Sequence, residues 1–267
     1  MTSARRMTRS MGVSFRSTVK SVNFWLAAIA IFAVLLIEQY EGIVELMSQN
    51  KNFFEDMFGA AYQFKLSTNF SYYIYAAPIA CAFAAGGEMV NDLEAGFYRL
   101  RLMKSGRREY RYGVFVGSTL CGGLALMLGV MAFALVCAVM YGTYQPIEDL
   151  AHNDAWMPIV SGANAQWKYM TLHALDAMMF GMVWSGIGMT ISVISPSRYV
   201  SYFAPFIICF CSALVLPAGL QPLEMLLQLG WMDFTFPKMI AYQAILYILT
   251  MAWFSYEFEK RVVHGKN

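Results

Sequence analysis

Apolar residues in this chain gather into runs long enough to cross a bilayer, separated by short polar stretches. A hydrocarbon core of roughly 30 Å takes about 20 residues of helix. On that scale the sequence predicts six spans, at about 22–37, 70–87, 112–142, 169–194, 199–218 and 239–256. The third is long, and Gly122–Gly123 interrupts it. Three other pieces are patterned without being spans. In 5–20, Met7, Met11, Phe15 and Val19 fall four apart among Arg and Lys, as in an amphipathic helix lying in the membrane interface. Residues 219–238, punctuated by Pro222, Gly230 and Pro237, are too apolar for an ordinary loop. They predict a re-entrant segment between spans five and six, which needs cover from protein or water. In the stretch after span two, Met89, Leu93, Phe97 and Leu100 recur at one helical face. Asp92 and Glu94 sit toward the start of that predicted helix and Arg99, Arg101 and Lys104 toward its end, the order its dipole favours. Ser105–Gly106 then breaks it.

Composition points the same way. Of 267 residues only 13% are charged and 58% are hydrophobic, with a mean hydropathy of +0.48, whereas soluble domains carry about 25% charged residues. The expected fold class is an all-α polytopic membrane protein, a single transmembrane domain over 1–267 with no soluble domain, repeat or low-complexity tail. A net charge of +2 is too small to argue for nucleic acid. Cys81, Cys121, Cys137, Cys209 and Cys211 all fall in apolar runs, so neither a disulfide framework nor a Cys-x-x-Cys metal site is expected. The 20 methionines scatter through the same runs as core filler. Small residues four apart, at Gly113/Gly117, Ser118/Gly122 and Ala177/Gly181/Ser185, permit close helix contacts. The Arg-rich start has the outline of a signal peptide, but no small-residue cleavage site follows the first apolar run, which therefore reads as an anchor.

Charge sets the expected orientation. Fifteen of the 19 Lys and Arg fall on one side: the N-terminus, the 88–111 loop, Arg198 and the C-terminus. The other side holds Lys51, Lys65, Lys168 and Lys238 together with Glu38, Glu41, Glu45, Glu55, Asp56, Glu148, Asp149 and Asp154. Positive loops stay cytoplasmic, so both termini are expected there.

The densest basic block, 94–113, holds six Arg or Lys in twenty residues. Basic side chains near a membrane surface attract anionic headgroups, at about 1 kcal/mol each. An apolar stripe on a helix protruding into the cytosol asks in addition for a partner groove. The element Glu94-x-Gly96-Phe97, the basic stretch after it, and Ser105-Gly106-Arg107-x-x-Tyr110 entering span three resemble the permeases of type-2 ABC exporters. The resemblance extends to the whole architecture: interfacial N-terminal helix, six spans, cytoplasmic helix between spans two and three, and re-entrant piece between spans five and six. It implies that Leu93, Glu94, Gly96, Phe97, Arg99, Leu100, Arg101 and Arg107 belong to a coupling helix seated on an ATPase subunit. A second contact would be the turn Ser195-Pro196-Ser197-Arg198. It also implies two copies of a separate ABC ATPase that binds ATP and Mg, and a second permease half, identical or paralogous. Tyr202, Phe203, Phe206 and Phe210 of span five would line the pathway, and the setting would be a bacterial plasma membrane with its lipids.

Missing motifs separate the classes. No phosphate loop is present, and the only Gly-Lys pair, Gly265–Lys266, lacks the turn that would precede it. ATP hydrolysis is therefore expected in another polypeptide, and no cofactor or metal in this one. Span four carries His173 and Asp176, three apart on one face, and an ionisable residue in a span is a functional candidate. They are candidates for substrate or gating contact. A membrane-embedded enzyme or an ATP-independent immunity or ion-transport protein using them is the alternative, although no HExxH or GxSxG accompanies them. Asp149, His152 and Asp154 of an outer loop offer a weak cation site or a solvated acidic face.

Overall fold

The computed structural model describes residues 3–40, 43–44, 60–69, 72–141, 164–217, 220–227 and 236–263. Outside them lie the outer-loop candidates Asp149, His152 and Asp154, the acidic residues Glu41, Glu45, Glu55, Asp56 and Glu148, as well as Lys51, Gly230 and Gly265–Lys266. Among the described residues helix is the only regular secondary structure. The elements are α1 Ser3–Val19, α2 Val22–Glu38, α3 Ala60–Asn69, α4 Tyr73–Ala85, α5 Gly87–Glu94 and α6 Phe97–Ser105. They continue as α7 Arg107–Tyr141, α8 Ala165–Ile194, α9 Arg198–Val215, α10 Pro222–Leu227 and α11 Phe236–Phe258, which ends in a π-helical turn, Glu259–Val263.

Five stretches are long and apolar enough to cross a membrane: Tyr73–Glu94, Arg107–Tyr141, Ala165–Ile194, Arg198–Val215 and Phe236–Val262. A sixth exists if α1 and α2, bent by 60° at their junction, count as one. This is the architecture of a helical membrane protein. The bend has a local cause. Ser21 leaves the helical conformation and its side chain caps Phe24 N–H, so α2 starts afresh two residues after α1 ends. Alone, the 17 residues of α2 reach only about 25 Å at 1.5 Å per residue.

The bundle is organised on α7 and α8. Helix α7 packs against α8, α1, α2 and α4, and its 35 residues extend about 52 Å. It is therefore longer than the roughly 30 Å of a hydrocarbon core, with Arg107, Arg108 and Arg111 in its first turns. Helix α8 is buried along most of its faces, whereas α9 buries one stripe of Ser201, Pro205 and Cys209. The small residues of α7 and α8 let the two backbones meet: a Cβ on Gly181 would lie 2.8 Å from Gly123 Cα.

Three sequence expectations change. First, α1 docks by its small hydroxyl face, with Ser10, Ser14 and Thr18 buried. Gly113 and Gly117 make room for it, since Cβ atoms there would fall 2.6 Å from Ser10 Cβ and 2.7 Å from Met11 O. Met11, Phe15 and Val19 lie half-buried beside that seam, Met7 is exposed, and the helix's basic side chains all point outward. Second, the helical span that begins at Tyr73 runs on to Glu94 rather than ending near 87, because its two late carboxylates find partners inside the protein. Third, no single helix joins Met89 to Leu100. Gly96 adopts φ 68° and Gly106 φ 90°, a left-handed conformation that glycine takes without Cβ strain. They bracket α6 as a separate nine-residue helix, while Met89 packs in a core with Tyr110, Phe115, Phe254 and Phe258. Of the stretch expected to re-enter, Pro222–Leu227 form α10, whose Leu226 is buried in the main core, and Phe236 to Lys238 already belong to α11.

Candidate functional site

The basic end of the bundle collects the residues singled out in the 88–111 stretch, in two layers. The inner layer is acidic. Glu88, one residue into α5, accepts hydroxyls from three residues on two other helices: Ser17 at 2.7 Å, Thr18, and Ser118 of α7. One turn on, Asp92 Oδ2 accepts from Arg101 Nη1 and from the Tyr110 hydroxyl, each at 2.8 Å. Asp92 sits in the last turn of α5, the end where the helix dipole disfavours a carboxylate. Its position is therefore held by Arg101 and Tyr110 instead. Arg101 also approaches Glu88 Oε1 at 3.9 Å. So Arg101, expected to face a partner, folds inward and ties α6 to α5.

The outer layer is apolar and basic. Phe97, Leu100 and Met103 are 56%, 52% and 76% exposed, one face of α6, with Arg99, Lys104, Arg107 and Arg108 exposed around them. Arg99 lies over the Tyr98 ring and donates to its hydroxyl at 3.0 Å. Leu93 is half-buried and packs on the Met89 core. Glu94 and Arg198, both exposed, form an ion pair at 3.1 Å. That contact joins the α5–α6 corner to the turn Ser195-Pro196-Ser197, where Ser195 N–H closes α8 on Ile191 O and Ser197 N–H turns back to Ser195 O. Two segments about a hundred residues apart in sequence thus form one surface.

The expected pathway residues do not gather in one place. On α9, Tyr202 is half-buried, its hydroxyl accepting from Asn23 Nδ2 at 3.4 Å and its ring edge-on to Phe83. Phe203 and Phe210 face outward, and Phe206 stacks on Phe210 at 6.2 Å. His173 and Asp176 lie elsewhere, in the core, and take their neighbours from α3 and α11. Phe64 meets the His173 ring edge-to-face at 5.1 Å, and Gln243 Nε2 donates to Asp176 Oδ1 at 2.9 Å. His173 and Asp176 are fully buried and Gln243 nearly so. Asp176 Oδ2, Gln243 Oε1 and both His173 ring nitrogens have no hydrogen-bond partner among the described residues.

Sequence reading passed over Glu88, Gln243 and the hydroxyls Ser17 and Thr18, and gave Tyr110 and Ser118 no part in holding a carboxylate. Two of these carry a signal. Glu88 follows an apolar run without a break, and Gln243 is the one amide inside the sixth apolar run. The hydroxyl donors carry none, because which helix meets α5 is a tertiary matter.

No group of three or more His, Cys, Asp or Glu among the described residues is arranged to hold a metal ion. No family model matches this chain, and no curated protein or solved structure matches it.

Proposed function

We propose that this chain is the membrane-spanning permease subunit of a type-2 ABC exporter. It would work as one of two permease halves, identical or paralogous, on two copies of a separate ATPase subunit that binds ATP and Mg. The observation that carries this reading is α6. A nine-residue helix between two glycine breaks shows an apolar face ringed by basic side chains, and is braced to the spans behind it. Apolar anchors inside a charged rim are the composition of a protein-docking patch.

In this reading α6 seats in a cleft of the ATPase at the cytoplasmic surface. Phe97 and Leu100 supply apolar anchoring, and Arg99 and Arg107 charged contacts. Arg101 acts behind them as a brace. Closure of the ATPase dimer pushes on α6 and on the 195–198 turn together, because Glu94 and Arg198 pair across them. The push reaches α4 through the Asp92–Arg101 bridge and α5, and reaches α9 directly through Arg198. Both termini are cytoplasmic, α1 lies in the interface with its arginines toward headgroups, and the 219–238 segment re-enters the bilayer. The cargo is hydrophobic or amphipathic, such as a drug, an antimicrobial peptide or a lipid-like molecule, in keeping with an apolar bundle whose α9 presents aromatic rings outward.

The test is a pull-down of tagged chain from native membranes in mild detergent, with ATPase activity assayed on the eluate. The reading predicts a co-eluting Walker-motif protein that is lost when Phe97 and Leu100 become Ala, while the chain itself still folds. Purification with no ATPase bound or required overturns it.

A further inference from the structure

Asp176 lies 11 residues into α8, about 16 Å from its first residue, and so deep within a span. Its Oδ1 is satisfied by the Gln243 amide of α11, while Asp176 Oδ2 and Gln243 Oε1 are both buried acceptors with no donor between them. An ionised carboxylate has no hydrogen to offer, and an amide carbonyl has none either. A single proton on Oδ2 supplies the missing donor. A carboxylic acid facing a primary amide makes two antiparallel hydrogen bonds, N–H to C=O and O–H to O=C, and leaves neither group short.

The alternative is costly. A bare carboxylate in a dry core loses several kcal/mol of solvation unless a cation or further donors replace it. Among the described residues no Lys or Arg acts on Asp176. The titratable groups near it are His173 on its own helix, whose ring makes no ion pair with it, and Tyr73 from α4. His173 is wedged against Phe64, with neither nitrogen hydrogen-bonded among the described residues.

The geometry points to a proton-binding site inside the membrane, in which Asp176 carries one proton and shares it with Gln243, locking α8 to α11. The ligand is the proton itself, which fits a site where all three side chains are at most 2% exposed. Parting α8 from α11 admits water, to which the acid gives its proton. Any motion that opens this contact is therefore linked to proton release. The inference stands independently of the exporter reading and is tested without an ATPase.

The experiment is infrared spectroscopy of the full chain in lipid nanodiscs at neutral pH, comparing wild type with Asp176→Asn and Gln243→Met. The expected result is a protonated-carboxyl carbonyl band in wild type, missing in Asp176→Asn and shifted in Gln243→Met, where the acid loses its amide partner. Thermal melting gives the second arm. Asp176→Asn, whose own amide N–H can replace the acid proton, should melt as wild type does, whereas Asp176→Ala should melt lower. A carboxylate signal from Asp176 at neutral pH overturns the proposal, as an ion bridged by water or a cation would produce. So does a loss of stability in Asp176→Asn as large as in Asp176→Ala.

Discussion

At the basic end of the bundle the carboxylates of Glu88 and Asp92 receive hydroxyl, phenol and guanidinium donors from α1, α6 and α7. Midway along α8 the Asp176 carboxyl receives, among the described residues, one amide. Both regions are buried acid, and they solve the same solvation problem in opposite ways. Where α1, α5, α6 and α7 converge, polar side chains from several helices can reach one point, so both carboxyl groups are met by several hydrogen-bond partners. Inside the apolar stretch the donor that reaches Asp176, among the described residues, is the Gln243 amide of α11, and on the proposal above the cheaper state carries a proton. The first arrangement ties α1, α5, α6 and α7 together through several hydrogen bonds at once. The second holds only while its proton stays.

Substitutions break or sharpen that contrast, from the largest expected effect downward. Asp92→Ala leaves Arg101 and the Tyr110 hydroxyl without their shared acceptor. With Arg101 partly solvated, the loss should be about 3 kcal/mol, toward the lower end of what removing one partner of a buried pair costs. Unfolding in mixed detergent micelles reads it. Gln243→Leu removes the one donor that reaches Asp176 among the described residues and should cost about 2 kcal/mol in the same assay, the scale for orphaning a buried polar group. A null effect there would mean that Asp176 has another partner.

Glu88→Ala is expected to be milder despite the larger number of hydrogen bonds it removes. The hydroxyls of Ser17 and Thr18 also lie 3.0 and 2.9 Å from the Ser14 carbonyl and can turn to it. Only Ser118 is left wanting, at a cost of about 1–2 kcal/mol. A loss as large as that of Asp92→Ala would show that Glu88 carries the junction itself. Smallest of all is the exposed pair Glu94–Arg198. A double-mutant cycle with both residues changed to Ala should give a coupling of about 0.5 kcal/mol or less, further reduced by added salt. If the exporter reading holds, the same double mutant weakens the response of transport to ATP hydrolysis far more than it weakens the fold. The pair's work would then be mechanical alignment.

The class of fold was legible in the chain because a bilayer demands long apolar helices, and composition records that demand directly. The runs 169–194 and 199–218 correspond to α8 and α9 within a few residues. The site was legible only in part. Phe97 and Leu100 were placed on an exposed face, and they are exposed. The helix that was to carry them together with Met89 does not exist, because hydrophobic spacing cannot see a backbone dihedral and Gly96 breaks the periodicity without disturbing it. On α1 the stripe left out the residues that pack most tightly, for a related reason. Helical spacing marks the apolar side, yet the tightest packing went to Ser10, Ser14 and Thr18, since small side chains let α1 approach the glycines of α7.

Taken alone, then, the sequence determined that the chain is a set of long apolar helices and roughly where most of them lie, the concentration of Arg and Lys around the 88–111 stretch, and the presence of His173 and Asp176 in an apolar helix. These are local properties, set by hydropathy and charge at each position. Tertiary structure alone decided that Arg101 turns inward to Asp92, that Glu94 meets Arg198, and that Gln243 is the partner of Asp176. Each joins helices distant along the chain. Their meeting depends on which faces can pack closely enough to expel water, and no single helix carries that information.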